Sequence, residues 1–233
     1  YGRWDWAERA LAALAANTDP CYEVVVVDNT SPEGGPAVPD GVLRGARVVR
    51  SGRTLGFGIG ANLGATHARG RFLCFLNSDA LVQPGWLAPL LAVFERVARA
   101  GVVVPQFREL DGTLQEAGRM IGSDGGTVGL GRGGDPEAFA YRFRRYLDYG
   151  SAACMMVRRN VFVGVGGFDP VYGAGYCEDT DLCLRLDEAG LRTVYEPLSI
   201  VVHAGGASSD PELGRRLVEA NTRTLRMRWA DKL

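Results

Sequence analysis

Carboxylates, amides and one histidine recur along this chain where they could act on a phosphate or a hydroxyl. Asp28 closes the apolar run Val24–Val27. If that run is a strand of an open α/β sheet, a carboxylate at its carboxyl end can accept from a nucleobase N–H or a ribose hydroxyl. It can equally make a turn with Asn29-Thr30-Ser31-Pro32. Asn77-Ser78-Asp79 follows the apolar run Phe72–Leu76. Polar and acidic residues there suit a divalent cation and its diphosphate, and the cation offsets the charge that grows on a departing diphosphate. The same residues also suit a plain turn. Glu178-Asp179-Thr180-Asp181 opens a helix after the glycine-rich approach Gly173–Cys177. Acidic residues in a first turn complement the helix dipole. A carboxylate presented at a helix start can also be a general base for a bound hydroxyl. Glu178 and Asp181, three apart, share a face, and Asp179 points elsewhere. His203 ends Ile200–Val202 and precedes a Gly/Ser loop, a setting for a structural histidine or for a metal or phosphate ligand. His67 lies within a helical stretch and has no expected role.

The elements that must position these residues follow from periodicity. Residues 5–16 are rich in Ala and Leu and predict a helix, with Asp5 as its cap. Residues 22–27, 46–50, 71–76 and 102–104 predict strands; 60–68 and 86–98 predict helices. This alternation is the pattern of a parallel sheet covered on both faces. In the second half, 151–157, 193–195 and 200–202 predict strands, and 178–189 and 211–229 predict helices. Residues 119–149 mix Gly, Arg and aromatics without a period and predict a long mobile insertion. Gly56-Phe57-Gly58-Ile59-Gly60-Ala61 loosely fits a dinucleotide fingerprint, G-x-G-x-x-A. In that motif the glycines follow the strand directly. Here Ser51–Leu55 intervenes, so the fit is set aside.

Composition narrows the class. Lys and Arg number 26 against 27 Asp and Glu, a balance that argues against a dedicated nucleic-acid binder. Hydrophobic residues at 46% and charged residues at 23% are globular values. Glycine, at 32 of 233 residues, is about twice its usual share of ~7% and implies many tight loops. No apolar run reaches the roughly 20 residues of a membrane span, and the opening Tyr1-Gly2-Arg3-Trp4-Asp5 does not read as a leader. The cysteines, an odd 5 with no CxxC pair, read as reduced thiols of a reducing compartment.

Taken in order, Asp28, Leu55-Gly56-Phe57-Gly58 with Asn62 and Gly64, Leu76-Asn77-Ser78-Asp79-Ala80, Gly166-Gly167-Phe168-Asp169, Glu178-Asp179-x-Asp181-Leu182-x-x-Arg185 and His203-x-Gly205-Gly206 resemble the inverting glycosyltransferases of family 2, within them the rhamnosyltransferase-like branch. The resemblance covers nearly the whole chain. It implies an α/β fold of the GT-A type: a Rossmann-like mixed, mostly parallel sheet flanked by helices, in one domain over 1–233. Residues 1–104 would form the nucleotide-binding half and 105–233 the acceptor-binding half. It implies a nucleotide-diphosphate sugar donor, such as dTDP-rhamnose or a UDP-hexose, with Mg²⁺ or Mn²⁺ held by Asp79 and His203. Donor nucleotide contacts would come from Tyr1, Asp28, Asn29, Leu55, Gly56, Phe57, Asn62, Asn77 and Ser78. Asp179 would be the catalytic base, kept ionised by an exposed helix start, and Glu178 would hold the acceptor hydroxyl. The acceptor would be a saccharide or lipid-linked saccharide, met in the cytoplasm at the inner face of a membrane by peripheral association.

Two departures accompany the resemblance. Asn77 stands where the family's D-x-D motif begins, which removes one metal ligand. The chain opens at Tyr1 with Gly2 in the place of an Asn, which puts the family's first central strand outside this sequence. The alternatives are a nucleotidyltransferase with a similar sheet and a catalytically silent nucleotide-binding module.

Overall fold

The computed structural model describes residues 4–17, 22–29, 46–205 and 211–233. The helices are α1 (Trp4–Ala16), α2 (Phe57–His67), α3 (Leu87–Arg96), α4 (Arg159–Gly164), α5 (Glu178–Glu188) and α6 (Pro211–Arg228). The strands are β1 (Val25–Asp28), β2 (Arg47–Arg50), β3 (Phe72–Leu76), β4 (Ala80–Val82), β5 (Ala100–Arg108), β6 (Leu114–Glu116), β7 (Arg119–Ile121), β8 (Thr127–Gly129), β9 (Arg145–Leu147), β10 (Cys154–Arg158) and β11 (Arg192–His203).

A seven-stranded sheet organises the molecule in the order β3-β10-β5-β11-β4, with β6 on β5 and β9 on β11. β5 and β11 run parallel. β10 runs antiparallel to both β3 and β5. β1 and β2 form a separate parallel pair. The sheet is thus mixed α/β, and its centre is buried on both faces. Side chains alternate across each strand. Val103, Cys154 and Met156 enter a core shared with Leu11 and Leu14 of α1 and Leu90, Val93 and Phe94 of α3. Val102, Val104, Met155 and Val157 enter the opposite core with Phe162, Phe168, Leu182 and Leu186. The near-continuous apolar character of β5 follows from this double burial. α1 contributes Trp6, Ala10, Leu11 and Leu14, the stripe its Ala/Leu composition implied.

Several expectations change. The segments 193–195 and 200–202 are one strand, β11, with a register irregularity between Glu196 and Ile200. Pro197, which has no N–H for the ladder, sits in that irregularity and split the pattern. Residues 119–149, expected as a mobile insertion, are built into the fold. β7 and β8 pair as a hairpin, β9 extends the main sheet along β11, and Leu147 and Tyr149 are buried. Strands of three residues are too short to show a period, so they read as loop. The β/α alternation of the first hundred residues predicted parallel neighbours. β3 instead pairs with β10 from the second half, a partner that local pattern cannot reveal. Among the described residues no helix is long and apolar enough to cross a membrane.

Candidate active site

The turn between β3 and β4 brings the first functional group together. Asn77 accepts from the Ala80 N–H at 3.1 Å, which closes a tight turn over Ser78 and Asp79. Asp79 is buried, Asn77 half-buried and Ser78 exposed. β11 runs antiparallel to β4 with His203 opposite Ala80. That register sets the His203 Nε2 3.4 Å from Asp79 Oδ1 and 3.4 Å from Asn77 Nδ2. The ring is oriented from behind by Gln115 on β6. Gln115 Nε2 donates to the His203 carbonyl at 2.9 Å and to Glu109 Oε2 at 3.0 Å. Its Oε1 therefore faces His203 Nδ1, at 2.8 Å, and accepts from it. A proton is thereby placed on Nδ1, and Nε2 faces Asp79 and Asn77. Sequence reading missed Gln115 and Glu109; no motif marks them.

These residues could hold a divalent cation only if further ligands came from elsewhere, such as a phosphate. Among the described residues no three His, Cys, Asp or Glu side chains gather as a complete cage. Asp79 and His203 supply one carboxylate and one imidazole. Mg²⁺ and Mn²⁺ are commonly held by one or two carboxylates together with substrate phosphates. A histidine ligand is ordinarily oriented by an acceptor on its other nitrogen, the place Gln115 takes here.

The second group lies at the head of α5. Asp179 is half-buried, with its oxygens turned inward: Oδ2 accepts from the Ala152 N–H at 3.1 Å and Oδ1 from the Thr180 N–H at 2.8 Å. The neighbouring Ala153 carbonyl accepts from the Asn77 N–H at 2.9 Å. The candidate base and the Asn77–Asp79–His203 group are therefore attached to adjacent residues of the segment entering β10. Burial raises the Asp179 carboxyl above the ordinary carboxylate range, opposed by the Ala152 and Thr180 amides and by Arg119. The helix start expected to be exposed is thus corrected: the start of α5 is packed into the fold, with Glu178 buried and Asp179 half-buried. Glu178 is 6% exposed, and burial followed by the Asp179 charge pushes it up to about 8. Its Oε2 has no hydrogen-bond partner among the described residues. A buried, protonated carboxyl with an unused oxygen is a donor available to a ligand.

Asp181, on the face shared with Glu178, is fully buried and structural. It pairs with Arg185 at 2.7 Å and accepts from Tyr172 Oη and Trp229 Nε1. Arg185 in turn donates to the carbonyls of Val165 and Gly167.

The expected nucleotide contacts have varied surroundings. Asp28 ends β1 and is buried, with Arg50 Nε 3.7 Å from its Oδ2. Asn29 is engaged with the Leu55–Gly56 main chain: its Oδ1 accepts from the Leu55 N–H at 2.9 Å and its Nδ2 donates to the Gly56 carbonyl at 2.8 Å. Asn62 grips Phe168 in the same way, through both the N–H and the carbonyl. Gly56 has φ of 80°, and a Cβ there would lie 2.2 Å from the Gly173 carbonyl oxygen. The Phe57 N–H donates to the Ala174 carbonyl at 3.0 Å. The Leu55–Phe57 turn is therefore docked against the loop that leads into Glu178 and Asp179. Tyr1 lies outside the described residues.

Comparison with known proteins bears on the family and the fold. The model of the family described as Glycosyl transferase family 2 matches residues 1–163. The chain is 32% identical over 234 residues to the N-acetylglucosaminyl-diphospho-decaprenol L-rhamnosyltransferase of Mycobacterium tuberculosis, covering 88% of this chain and 74% of that protein. It is 30% identical over 201 residues to the uncharacterized protein y4gI of Sinorhizobium fredii, covering 82% of this chain but 22% of that protein. Among solved structures, GalNAc-T7 with UDP, GalNAc and Mn²⁺ superposes with a TM-score of 0.70 at 18% identity, over 94% of this chain and 47% of that one. That likeness concerns the fold, which is the GT-A glycosyltransferase fold. The chain thus spans less than two thirds of some of its relatives and most of others. With the family model matched over most of its length, the chain belongs to glycosyltransferase family 2.

Proposed function

We propose that this protein transfers a sugar from a nucleotide-diphosphate sugar to an acceptor hydroxyl in a single displacement that inverts the anomeric centre. The observation that carries the reading is the attachment of Asp179 and of the Asn77–Asp79–His203 group to neighbouring residues, Ala152 and Ala153. A base for the acceptor and a holder for the diphosphate thereby share one short segment.

In this reading Asp179 takes the proton of the acceptor hydroxyl as its oxygen attacks C1 of the sugar. The bond from C1 to the diphosphate oxygen breaks, and the diphosphate departs with the electron pair. Glu178, protonated near neutrality, donates a hydrogen bond that orients the acceptor or the sugar. Asp79 and His203 would hold Mg²⁺ or Mn²⁺, which supplies charge compensation to the diphosphate. Asp28 faces the nucleoside, with Asn29 and Asn62 shaping the donor turn through main-chain contacts. A rhamnosyl or hexosyl donor with a saccharide or lipid-linked acceptor is favoured by the named activity of the mycobacterial relative.

The test is thermal shift with UDP, dTDP and GDP, each with and without Mn²⁺, together with release of free nucleoside diphosphate from dTDP-rhamnose and UDP-glucose. A Mn²⁺-dependent rise with UDP or dTDP that Asp79→Ala removes, with diphosphate release from the matching donor, is expected. Binding without any release would favour a silent nucleotide-binding module.

A further inference from the structure

The main chain that enters the candidate base is left-handed at consecutive residues, and the last helix holds it there. Tyr176 and Cys177 have φ of 73° and 70°, the non-glycine residues with positive φ among those described. Side chains rarely adopt this conformation, and it persists where the surroundings impose it. Glu178 and Asp179 follow immediately. Asn221 of α6 is 8% exposed and inserts its amide beneath this loop. Its Nδ2 donates to the carbonyls of Tyr172 and Gly175, each at 2.8 Å, and of Tyr176 at 3.1 Å. One turn-pair earlier on the same helix, Gly214 leaves room for the Tyr176 hydroxyl, which would lie 2.9 Å from a Cβ at that position. On the opposite side, the loop is fastened to the donor turn by Phe57.

We propose that Asn221 is a positioning residue for the transfer step. By gathering carbonyls of the 172–176 loop, it stabilises the left-handed pair that sets the direction in which α5 presents Glu178 and Asp179. This rests on the reading of Asp179 as the base. No contact of Asn221 with substrate is required.

The experiment compares the full chain with Asn221→Ala, Asn221→Ala combined with Cys177→Gly, and Asp179→Asn. Hydrogen exchange of residues 173–180, thermal shift with dTDP and Mn²⁺, and transfer from dTDP-rhamnose to octyl N-acetylglucosaminide are measured on each. Asn221→Ala is expected to speed exchange in 173–180 and to lower kcat by about tenfold to a hundredfold, the scale of a small misplacement of a reacting group. The donor KM and the dTDP shift should stay within about twofold and within error, respectively. Glycine enters the left-handed region freely, so Cys177→Gly should recover most of the lost kcat. A residue that merely stabilised the fold would lower Tm without this kcat-against-KM split. Unchanged exchange in 173–180, or kcat within about twofold of the parent, overturns the proposal. If Asp179→Asn abolishes transfer while Asn221→Ala does not, the positioning role alone falls. If Asp179→Asn leaves transfer intact, the base assignment falls and the positioning role falls with it.

Discussion

At the scale of single residues, the site depends on groups whose surroundings determine their protonation. Gln115 keeps the His203 proton on Nδ1, so its loss should disorder the ring rather than remove a ligand. Gln115→Leu is expected to weaken Mn²⁺ binding, titrated by electron paramagnetic resonance in the presence of dTDP, by about tenfold to a hundredfold. Undiminished Mn²⁺ binding would show that other contacts orient the ring. Glu178 gives a test by pH. Its carboxyl is raised to about 8 in the fold, with burial as the main cause. The native state therefore holds a proton that the unfolded chain has already released above the ordinary carboxylate range. Stability is then greatest below that range and is lost as pH rises toward about 8, with a slope of up to about 1.4 kcal/mol per pH unit. Urea unfolding between pH 5 and pH 8 should show this slope, and Glu178→Gln should flatten it; a slope that survives in the variant would assign it to another group.

At the scale of elements, α5 is the support on which the chemistry stands, and Asp181 ties it to both of its neighbours. The fully buried carboxylate meets Arg185 on its own helix, Tyr172 in the preceding loop and Trp229 just beyond α6. Removing one partner of a buried ion pair leaves the other uncompensated, at a cost of about 3–5 kcal/mol. Asp181→Ala should therefore lower stability to chemical denaturation by that order; a loss under about 1 kcal/mol would mean that Arg185 finds other partners. This role was only partly legible. The spacing of Glu178 and Asp181 told which face each would share, and the structure places both inward and Asp179 apart from them. Helix spacing does not tell which acid is paired and which is left for a ligand. That is decided by Arg185 one turn along the same helix and by Tyr172 and Trp229, which the fold brings in from elsewhere.

At the scale of the whole molecule, the sheet joins segments far apart in the chain, and legibility divides along that line. Long apolar strands and amphipathic helices could be read locally, because double burial and one-sided burial each leave a period. The order and direction of strands could not, because β10 inserts between β3 and β5 from the second half. The short strands β7, β8 and β9 carry too few residues for a period. The motif residues Asp79, Glu178, Asp179 and His203 stood out by type and position, with their roles implied by resemblance, and the fold assembles them in two adjoining groups. Their supports, Gln115 and Asn221, are single amides whose importance arises only from three-dimensional contact. The amide of Asn62, the residue expected at the nucleotide, clamps Phe168 through both of its polar atoms, a contact that local pattern does not announce.

The central claim is that Asp179 removes the acceptor proton beside a separately built diphosphate site. The most direct measurement compares the parent chain with Asp179→Asn for release of nucleoside diphosphate from dTDP-rhamnose and UDP-glucose, in parallel with dTDP and UDP binding in Mn²⁺. The account predicts that release falls at least about a hundredfold, the lower scale of general-base catalysis, while nucleotide binding is unchanged. Release that persists in Asp179→Asn at the parent rate, or loss of binding together with release, would contradict it.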